Sequence, residues 1–155
     1  MIEIKEFTKD RIDDVIAFEC DLRREEGIWG WEIDDAYRKA VEDSFENPLF
    51  RASVSFLAYL DGKVVGRIDA CLIPSHFDGS VKAYLEWICV LKSRRHMGVA
   101  QALMAHLRKA LKETYHVDTL IGLIAANEDA QRFYRSLENA LIRDEGIWID
   151  RKSVV

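Results

Sequence analysis

The sequence predicts a mixed α/β fold, α+β in arrangement: a central mixed, mostly antiparallel twisted sheet with helices on both faces. Three observations predict it. Strand-like apolar patterns recur early, at residues 2–7, 52–60 and 63–72. The period then changes to four at Val99, Leu103, Leu107 and Leu111, which is one face of a helix. An apolar run at residues 118–125 follows, so hairpins come first and a strand–helix–strand crossover comes after. With 155 residues, the chain reads as one domain over 1–155. Hydrophobic residues are 49% and charged residues 32%, which excludes wholesale disorder.

Each element follows from local chemistry. Ile2-Glu3-Ile4-Lys5-Glu6-Phe7 alternates and reads as a strand. Thr8 or Asp10 is placed to cap the next helix, whose period runs through Ile12, Val15, Ile16, Phe18, Glu19 and Leu22 towards Gly27. Ile28-Trp29-Gly30-Trp31 is an aromatic loop. Asp34 can cap a second helix carrying Tyr37, Val41 and Phe45, which Asn47-Pro48 stops. Residues 52–60 put Val54, Phe56 and Ala58 on one strand face. Asp61-Gly62 signals a type I′ hairpin turn, and residues 63–72 return as the partner strand. Pro74-Ser75-His76-Phe77-Asp78-Gly79-Ser80 is a loop before a long strand at 81–90. Residues 118–125 read as a buried strand. Asn127 can cap a last helix whose first turn carries Glu128 and Asp129, where negative charge suits the helix dipole. On it Ala130, Phe133, Tyr134 and Leu137 are expected to face inward, and residues 146–155 offer a final strand.

The charge is unevenly spread. The formal net charge is −5, which argues against a nucleic-acid partner. Residues 10–46 hold 13 acidic and 5 basic side chains. Residues 87–112 hold no Asp or Glu, and Lys92, Arg94, Arg95, Arg108, Lys109 and Lys112 give +6. Such a split suits a cationic and an anionic ligand, or two solvated surfaces of opposite sign. No apolar run approaches the ~18–20 residues of a membrane span, and the first residues show no secretory h-region. Cys20, Cys71 and Cys89 lack metal spacing and read as reduced thiols, so a cytoplasmic location is expected. His76, His96, His106 and His116 are scattered, and no metal is expected.

The most informative segment is Val90-Leu91-Lys92-Ser93-Arg94-Arg95-His96-Met97-Gly98-Val99-Ala100-Gln101-Ala102-Leu103. A strand ends, a basic loop follows, and a helix opens at Gly98 with no evident side-chain cap. Unpaired N–H groups at a helix start carry partial positive charge, and an anion can satisfy them. Gly98 lets a ligand oxygen approach the backbone, and Ala100 keeps the next contact small. Arg94 and Arg95 add charge suited to phosphate. The segment lacks the Lys-Ser/Thr of a P-loop and the spaced glycines of a dinucleotide fingerprint.

Arg95-His96-Met97-Gly98-Val99-Ala100 resembles Gln/Arg-x-x-Gly-x-Gly/Ala, the acetyl-CoA motif of the GCN5-related N-acetyltransferases. Leu85-Glu86-Trp87-Ile88-Cys89-Val90 looks like that family's fourth strand, and Asn127-Glu128-Asp129-Ala130-Gln131-Arg132-Phe133-Tyr134 is similar to its Asn-x-x-Ala-x-x-Phe-Tyr helix. With the element order, the resemblance covers almost the whole chain and implies the acyl-CoA N-acyltransferase fold. It also implies roles. Backbone groups of the Ile88, Cys89 and Val90 stretch would pair with the pantetheine arm like an added strand. Amides of Arg95, His96, Met97, Gly98, Val99, Ala100 and Gln101 would cradle the pyrophosphate. Asn127 would bind the pantetheine side, and Tyr134 would lie near the thioester sulfur. The usual Leu-Gly-Phe is replaced by Leu137-Glu138-Asn139-Ala140-Leu141, a departure from the pattern.

Acyl transfer to an amine requires loss of an amine proton, donors for the oxyanion and a proton for the departing thiolate. A backbone N–H near Ile88 to Val90 is the oxyanion donor. Tyr134 is the acid candidate. Glu86 is the base candidate, directly or through one water, because strand parity places it with Ile88 and Val90. By the same parity Cys89, with Leu85, Trp87 and Leu91, faces the other way and reads as a core thiol. Trp29, Trp31, Glu25, Glu26 and Asp34 form an aromatic–acidic patch that suits a cationic acceptor. The chain is therefore expected to transfer the acetyl group of acetyl-CoA to a primary amine of a small or peptidic acceptor by direct transfer. An aminoglycoside, suggested by a faint resemblance to aminoglycoside 6′-N-acetyltransferases, and a protein amine are the alternative acceptors. A non-catalytic acyl-CoA sensor would keep Gly98 and lose the acid or base. The expected partners are acetyl-CoA and the amine, with no nucleic acid and no membrane; a homodimer is left open.

Overall fold

A computed structural model describes residues 1–27, 31–144, 146, 147 and 149. Among the described residues five strands stand in the order β1 to β5: β1 (Glu3–Glu6), β2 (Ser53–Leu60), β3 (Lys63–Pro74), β4 (Val81–Val90) and β5 (Leu120–Gly122). The β1–β2, β2–β3 and β3–β4 pairs are antiparallel. The helices are α1 (Ile12–Glu26), α2 (Asp35–Ser44), α3 (Val99–Glu113) and α4 (Glu128–Arg135). This is the mixed, mostly antiparallel fold that the sequence predicts. The chain forms two compact units, Met1–Ile121 and Gly122–Val155. Among the described residues no helix is long and apolar enough to cross a membrane.

In the first unit, hydrophobic stripes seat the helices. Val99, Leu103, Leu107 and Leu111 of α3 are all buried, as the four-residue period requires, and Ile12, Val15, Phe18 and Leu22 of α1 are buried too. The β2–β3 turn holds Asp61 and Gly62 at φ 51° and 77°, the left-handed pair of a type I′ turn. On β2 not only Val54, Phe56 and Ala58 but also Leu57 and Tyr59 are buried, because both sheet faces are covered. The His106 ring of α3 meets the Phe56 ring edge-on at 4.6 Å.

Gly66 lets α3 sit close to the sheet. A Cβ there would lie 2.9 Å from Val99 Cγ1, 3.1 Å from the Cys89 carbonyl and 3.2 Å from Leu103 Cδ1. Two of those three atoms are side-chain tips that can yield. Gly66→Ala is therefore expected to cost about 1–2 kcal/mol by overpacking, read as a lower urea midpoint at unchanged slope.

Three expectations need correction. Neither Thr8 nor Asp10 caps α1: a 3-10 turn, Lys9–Arg11, precedes the helix, and Thr8 donates its hydroxyl to Asp10 instead. The strand expected at 118–125 is three residues long and not buried, with Ile121 and Leu123 exposed. Among the described residues β5 ends the strand order, so it has a strand on one side only, and an apolar run alone does not reveal that. In the second unit, Ala130, Phe133, Tyr134 and Leu137 lie on the more covered side of the chain but are only half-buried. Most of the strand expected at 146–155 lies outside the described residues.

Candidate active site

Strand β4 leads through a 3-10 turn, Lys92–Arg94, into α3. Gly98 occupies the N-cap of α3 at φ 84°, ψ 9°, and no side chain caps the helix. The first N–H groups of a helix lack partners within it, so this end presents donors outward. A Cβ on Gly98 would meet no protein atom within 4 Å. Glycine is needed there for the left-handed backbone, and it leaves the amides open to approach. His96 is also left-handed, at φ 62°, a conformation that costs a non-glycine residue of order 1 kcal/mol. His96, Met97 and Gly98 are exposed, and Val99 anchors the turn in the core. Ala100 is half-buried and Gln101 exposed.

Beside this turn, β4 carries Ile88, Cys89 and Val90 opposite Ile68, Arg67 and Gly66 of β3. The Ala83 N–H donates to the Thr119 carbonyl at 2.9 Å, which anchors β5 at the other end of β4. Three residues from that anchor span about 10 Å, too short to run along Ile88, Cys89 and Val90. The described strand pairing of Ile88, Cys89 and Val90 is with β3, on their inner edge.

The register shifts between Asp69 and Ala70, which pair with Trp87 and Leu85. Glu86 is the extra residue of a β-bulge. The bulge overturns the parity argument. Leu85 pairs with Ala70, on the face that Gly66 turns to α3, so it shares the face of Ile88 and Val90. Glu86 is exposed, and its charge acts on Cys71 and Tyr84, a pair on the opposite, α1-side face. Burial first, and then that charge, hold the Cys71 thiol and the Tyr84 phenol protonated to higher pH than usual. Trp87 lies on the same side, its ring centroid 6.5 Å from that of Trp31.

The end of α1 is tied to the basic loop. Ser93 donates its hydroxyl to Glu25 at 2.6 Å and its N–H to the same carboxylate at 3.0 Å. Those bonds pull the Glu25 carboxyl below its usual range. Arg95 pairs with Glu26 at 2.5 Å. Glu25 and Glu26, expected to face an acceptor, instead hold the loop, and Arg95 carries its charge to Glu26. Asp34 accepts the Tyr37 N–H at 2.9 Å and caps α2, as the sequence indicates. Trp31 is half-exposed, with the Arg23 guanidinium 5.1 Å from its ring centroid. Trp29 lies outside the described residues.

Beneath β4 runs a charged network that sequence reasoning missed. Arg67 donates two bonds to Asp69, at 2.7 and 2.9 Å, and one to Glu19 at 2.9 Å. Glu19, itself buried, also accepts from Arg23 at 2.6 Å. Burial pulls the Arg67 ionisation down, and Asp69 and Glu19 more than reverse it. Removing one partner of such a network strands a buried charge. The signal in the sequence was Glu19, a carboxylate inside the apolar stripe of α1.

Cys89 is buried against this network. Burial first, then the Glu19 charge, push its thiol up to about 12. It is a core thiol, as expected, and no nucleophile at neutral pH. At pH 8 a disulfide reagent is expected to label exposed Cys20 in the folded protein, and Cys89 only with unfolding. Between pH 9 and about 12 the unfolded chain loses the Cys89 proton first, so stability falls as pH rises through that window.

In the second unit, the Asn127 side chain accepts the Ala130 N–H at 2.8 Å and caps α4, with Glu128 and Asp129 in the first turn. Its carbonyl oxygen is engaged, which leaves the amide NH2 for a ligand. Tyr134 is half-buried, and its ring meets Phe133 edge-on at 5.3 Å. The helix ends at Arg135, and Asn139 and Asp144 adopt left-handed backbone in the atypical segment 137–146.

The acetyltransferase (GNAT) family model matches residues 16–138, and the chain belongs to that family. No curated protein sequence matches the chain. Solved structures share its fold. An aminoglycoside acetyltransferase, meta-AAC0020, from an uncultured soil metagenomic sample, in complex with trehalose, is 15% identical with a TM-score of 0.79, over 96% of this chain and 95% of that one. A ribosomal-protein-alanine N-acetyltransferase from Brucella melitensis biovar Abortus 2308 is 18% identical with a TM-score of 0.73, over 97% and 99%. AAC(6')-Iy, in complex with the bisubstrate analogue CoA-S-monomethyl-acetylneamine, is 21% identical with a TM-score of 0.75, over 97% and 98%. The fold is that of the acyl-CoA N-acyltransferases.

Proposed function

We propose that this acetyltransferase uses acetyl-CoA as co-substrate and transfers its acetyl group directly to a primary amine of a small or peptidic acceptor. The observation that carries the reading is Gly98: a left-handed start to α3 with no side-chain cap, beside the basic loop, where even a Cβ would meet no protein atom within 4 Å. The amides of residues 95–101 would hold the pyrophosphate, and the edge of Ile88, Cys89 and Val90 the pantetheine, with the Asn127 amide as a further donor. Residues 1–155 act as one N-acetyltransferase domain, a reading supported by a family match that runs through both units.

Glu86, exposed on its bulge, is the base. It takes the ammonium proton, directly or through one water, and the amine nitrogen then attacks the thioester carbonyl. The carbonyl oxygen becomes an oxyanion, which a β4 backbone N–H near Ile88 to Val90 stabilises. As the tetrahedral intermediate collapses, the C–S bond breaks and Tyr134 gives its proton to the thiolate; the second proton of the attacking nitrogen restores the Tyr134 hydroxyl through water, and Glu86 releases its proton to solvent. The products are the N-acetyl amine, CoA thiol and one proton.

The test is thiol release from acetyl-CoA across a panel of amines, with the acetylated product identified by mass. Amine-dependent release with one N-acetyl product per thiol is expected. Tight acetyl-CoA binding with no turnover of any amine would instead make the chain an acyl-CoA sensor.

A further inference from the structure

We infer that Glu25, at the end of α1, is a positioning residue for acetyl-CoA: through Ser93 it holds the loop before Gly98 in its anion-binding shape before the ligand arrives. This role rests on the acetyl-CoA reading and deepens it. Glu25 and Glu26 are the last two residues of α1. The C-terminal end of a helix carries partial negative charge and favours cations, so a carboxylate there is opposed by its own helix. The bonds of Glu25 run to the basic loop instead. Ser93 gives the carboxylate both its hydroxyl, at 2.6 Å, and its N–H, at 3.0 Å. Those bonds hold the Glu25 carboxyl below its usual range, so it keeps its negative charge at neutral pH. Glu26 ties the same loop at Arg95.

The loop needs such a hold. At one end Leu91 is buried and donates its N–H to the Val65 carbonyl at 2.9 Å; at the other Val99 is buried. Between these anchors His96 and Gly98 are left-handed, at φ 62° and 84°, and Lys92, Ser93, Arg94, His96 and Met97 are exposed. A left-handed non-glycine residue persists where its surroundings over-determine it. A loop already in its bound shape spares the ligand the cost of ordering it. Charge alone acts in the opposite direction. A carboxylate bonded to the loop that takes a pyrophosphate repels it, so a Glu25 acting only through its charge would weaken binding, and its removal would tighten binding. The two roles therefore differ in the sign of the effect.

The test is calorimetry with acetyl-CoA on the parent chain, Glu25→Ala, Glu25→Gln, Ser93→Ala and the double variant Glu25→Ala/Ser93→Ala, with hydrogen exchange followed over residues 92–98 of the ligand-free proteins. Glu25→Ala should fold, because alanine favours a helix and the change removes negative charge from the negative end of α1. Circular dichroism checks this. Glu25→Ala is expected to bind acetyl-CoA about tenfold more weakly, with faster exchange in the loop. Glu25→Gln, neutral but still an acceptor, should recover part of the loss. Ser93→Ala, on the exposed loop, removes one of the two bonds and should weaken binding about threefold. In the Glu25→Ala background it should cost nothing further, because the bond it removes is already gone. Acetyl-CoA bound by Glu25→Ala as tightly as by the parent chain, or more tightly, overturns the inference and leaves the acetyl-CoA reading intact. Unchanged exchange in the loop, or a full extra loss in the double variant, overturns it in the same way. A parent chain that does not bind acetyl-CoA overturns both.

Discussion

Replacing Tyr134 with Phe is expected to lower kcat about a hundredfold while acetyl-CoA binding stays nearly unchanged. The substitution removes one hydroxyl and keeps the ring, so the edge-on contact with Phe133 at 5.3 Å survives, as does the Asn127 cap of α4. If the hydroxyl protonates the departing thiolate, its loss acts on the transition state more than on the ground state. The defect should shrink with an acyl donor whose thiol leaves as a stable anion, because such a group needs no proton. Both enzymes would be assayed at saturating substrate with acetyl-CoA and with an activated thioester. A Phe variant within about threefold of the parent on acetyl-CoA returns Tyr134 to a packing role. An equal defect with both donors means that the hydroxyl positions the acetyl group instead.

Gly98→Asp is expected to weaken acetyl-CoA binding at least tenfold, about 1.4 kcal/mol or more. Three effects act in the same direction. The new Cβ enters the space through which a phosphate oxygen would approach, and the carboxylate adds negative charge at the pyrophosphate. The side chain can also cap α3 and satisfy the amides that the anion would otherwise use. The fold should survive, because a Cβ at this position meets no protein atom within 4 Å. The left-handed φ of 84° adds a cost of order 1 kcal/mol, since Asp tolerates that region better than most residues. Calorimetry on a folded Gly98→Asp variant reads the affinity directly.

Local chemistry made much of the fold legible. The stripe of Val99, Leu103, Leu107 and Leu111, the Asp61-Gly62 turn, the Asp34 and Asn127 caps and the uncapped start at Gly98 each depend on residues close in sequence. What stayed hidden depends on partners distant in sequence. Strand parity breaks at Glu86 because β4 carries one more residue than β3 there, and only the pairing reveals it. Glu25 and Glu26 look like acceptor ligands until the fold brings Ser93 and Arg95 to them from 68 and 69 residues away. Arg67 and Asp69 read as strand residues of no note until Glu19 on α1 packs against them.

The claim on which the rest depends is that the turn at Gly98 holds the pyrophosphate of acetyl-CoA. Its most direct test is calorimetry with acetyl-CoA and with S-acetyl-pantetheine, which keeps the thioester arm and lacks the pyrophosphate and nucleotide. The parent chain is predicted to bind acetyl-CoA at least tenfold more tightly than S-acetyl-pantetheine, and Gly98→Asp to lose most of that difference. Equal affinity of the parent chain for both ligands, or a full difference retained in folded Gly98→Asp, would contradict it.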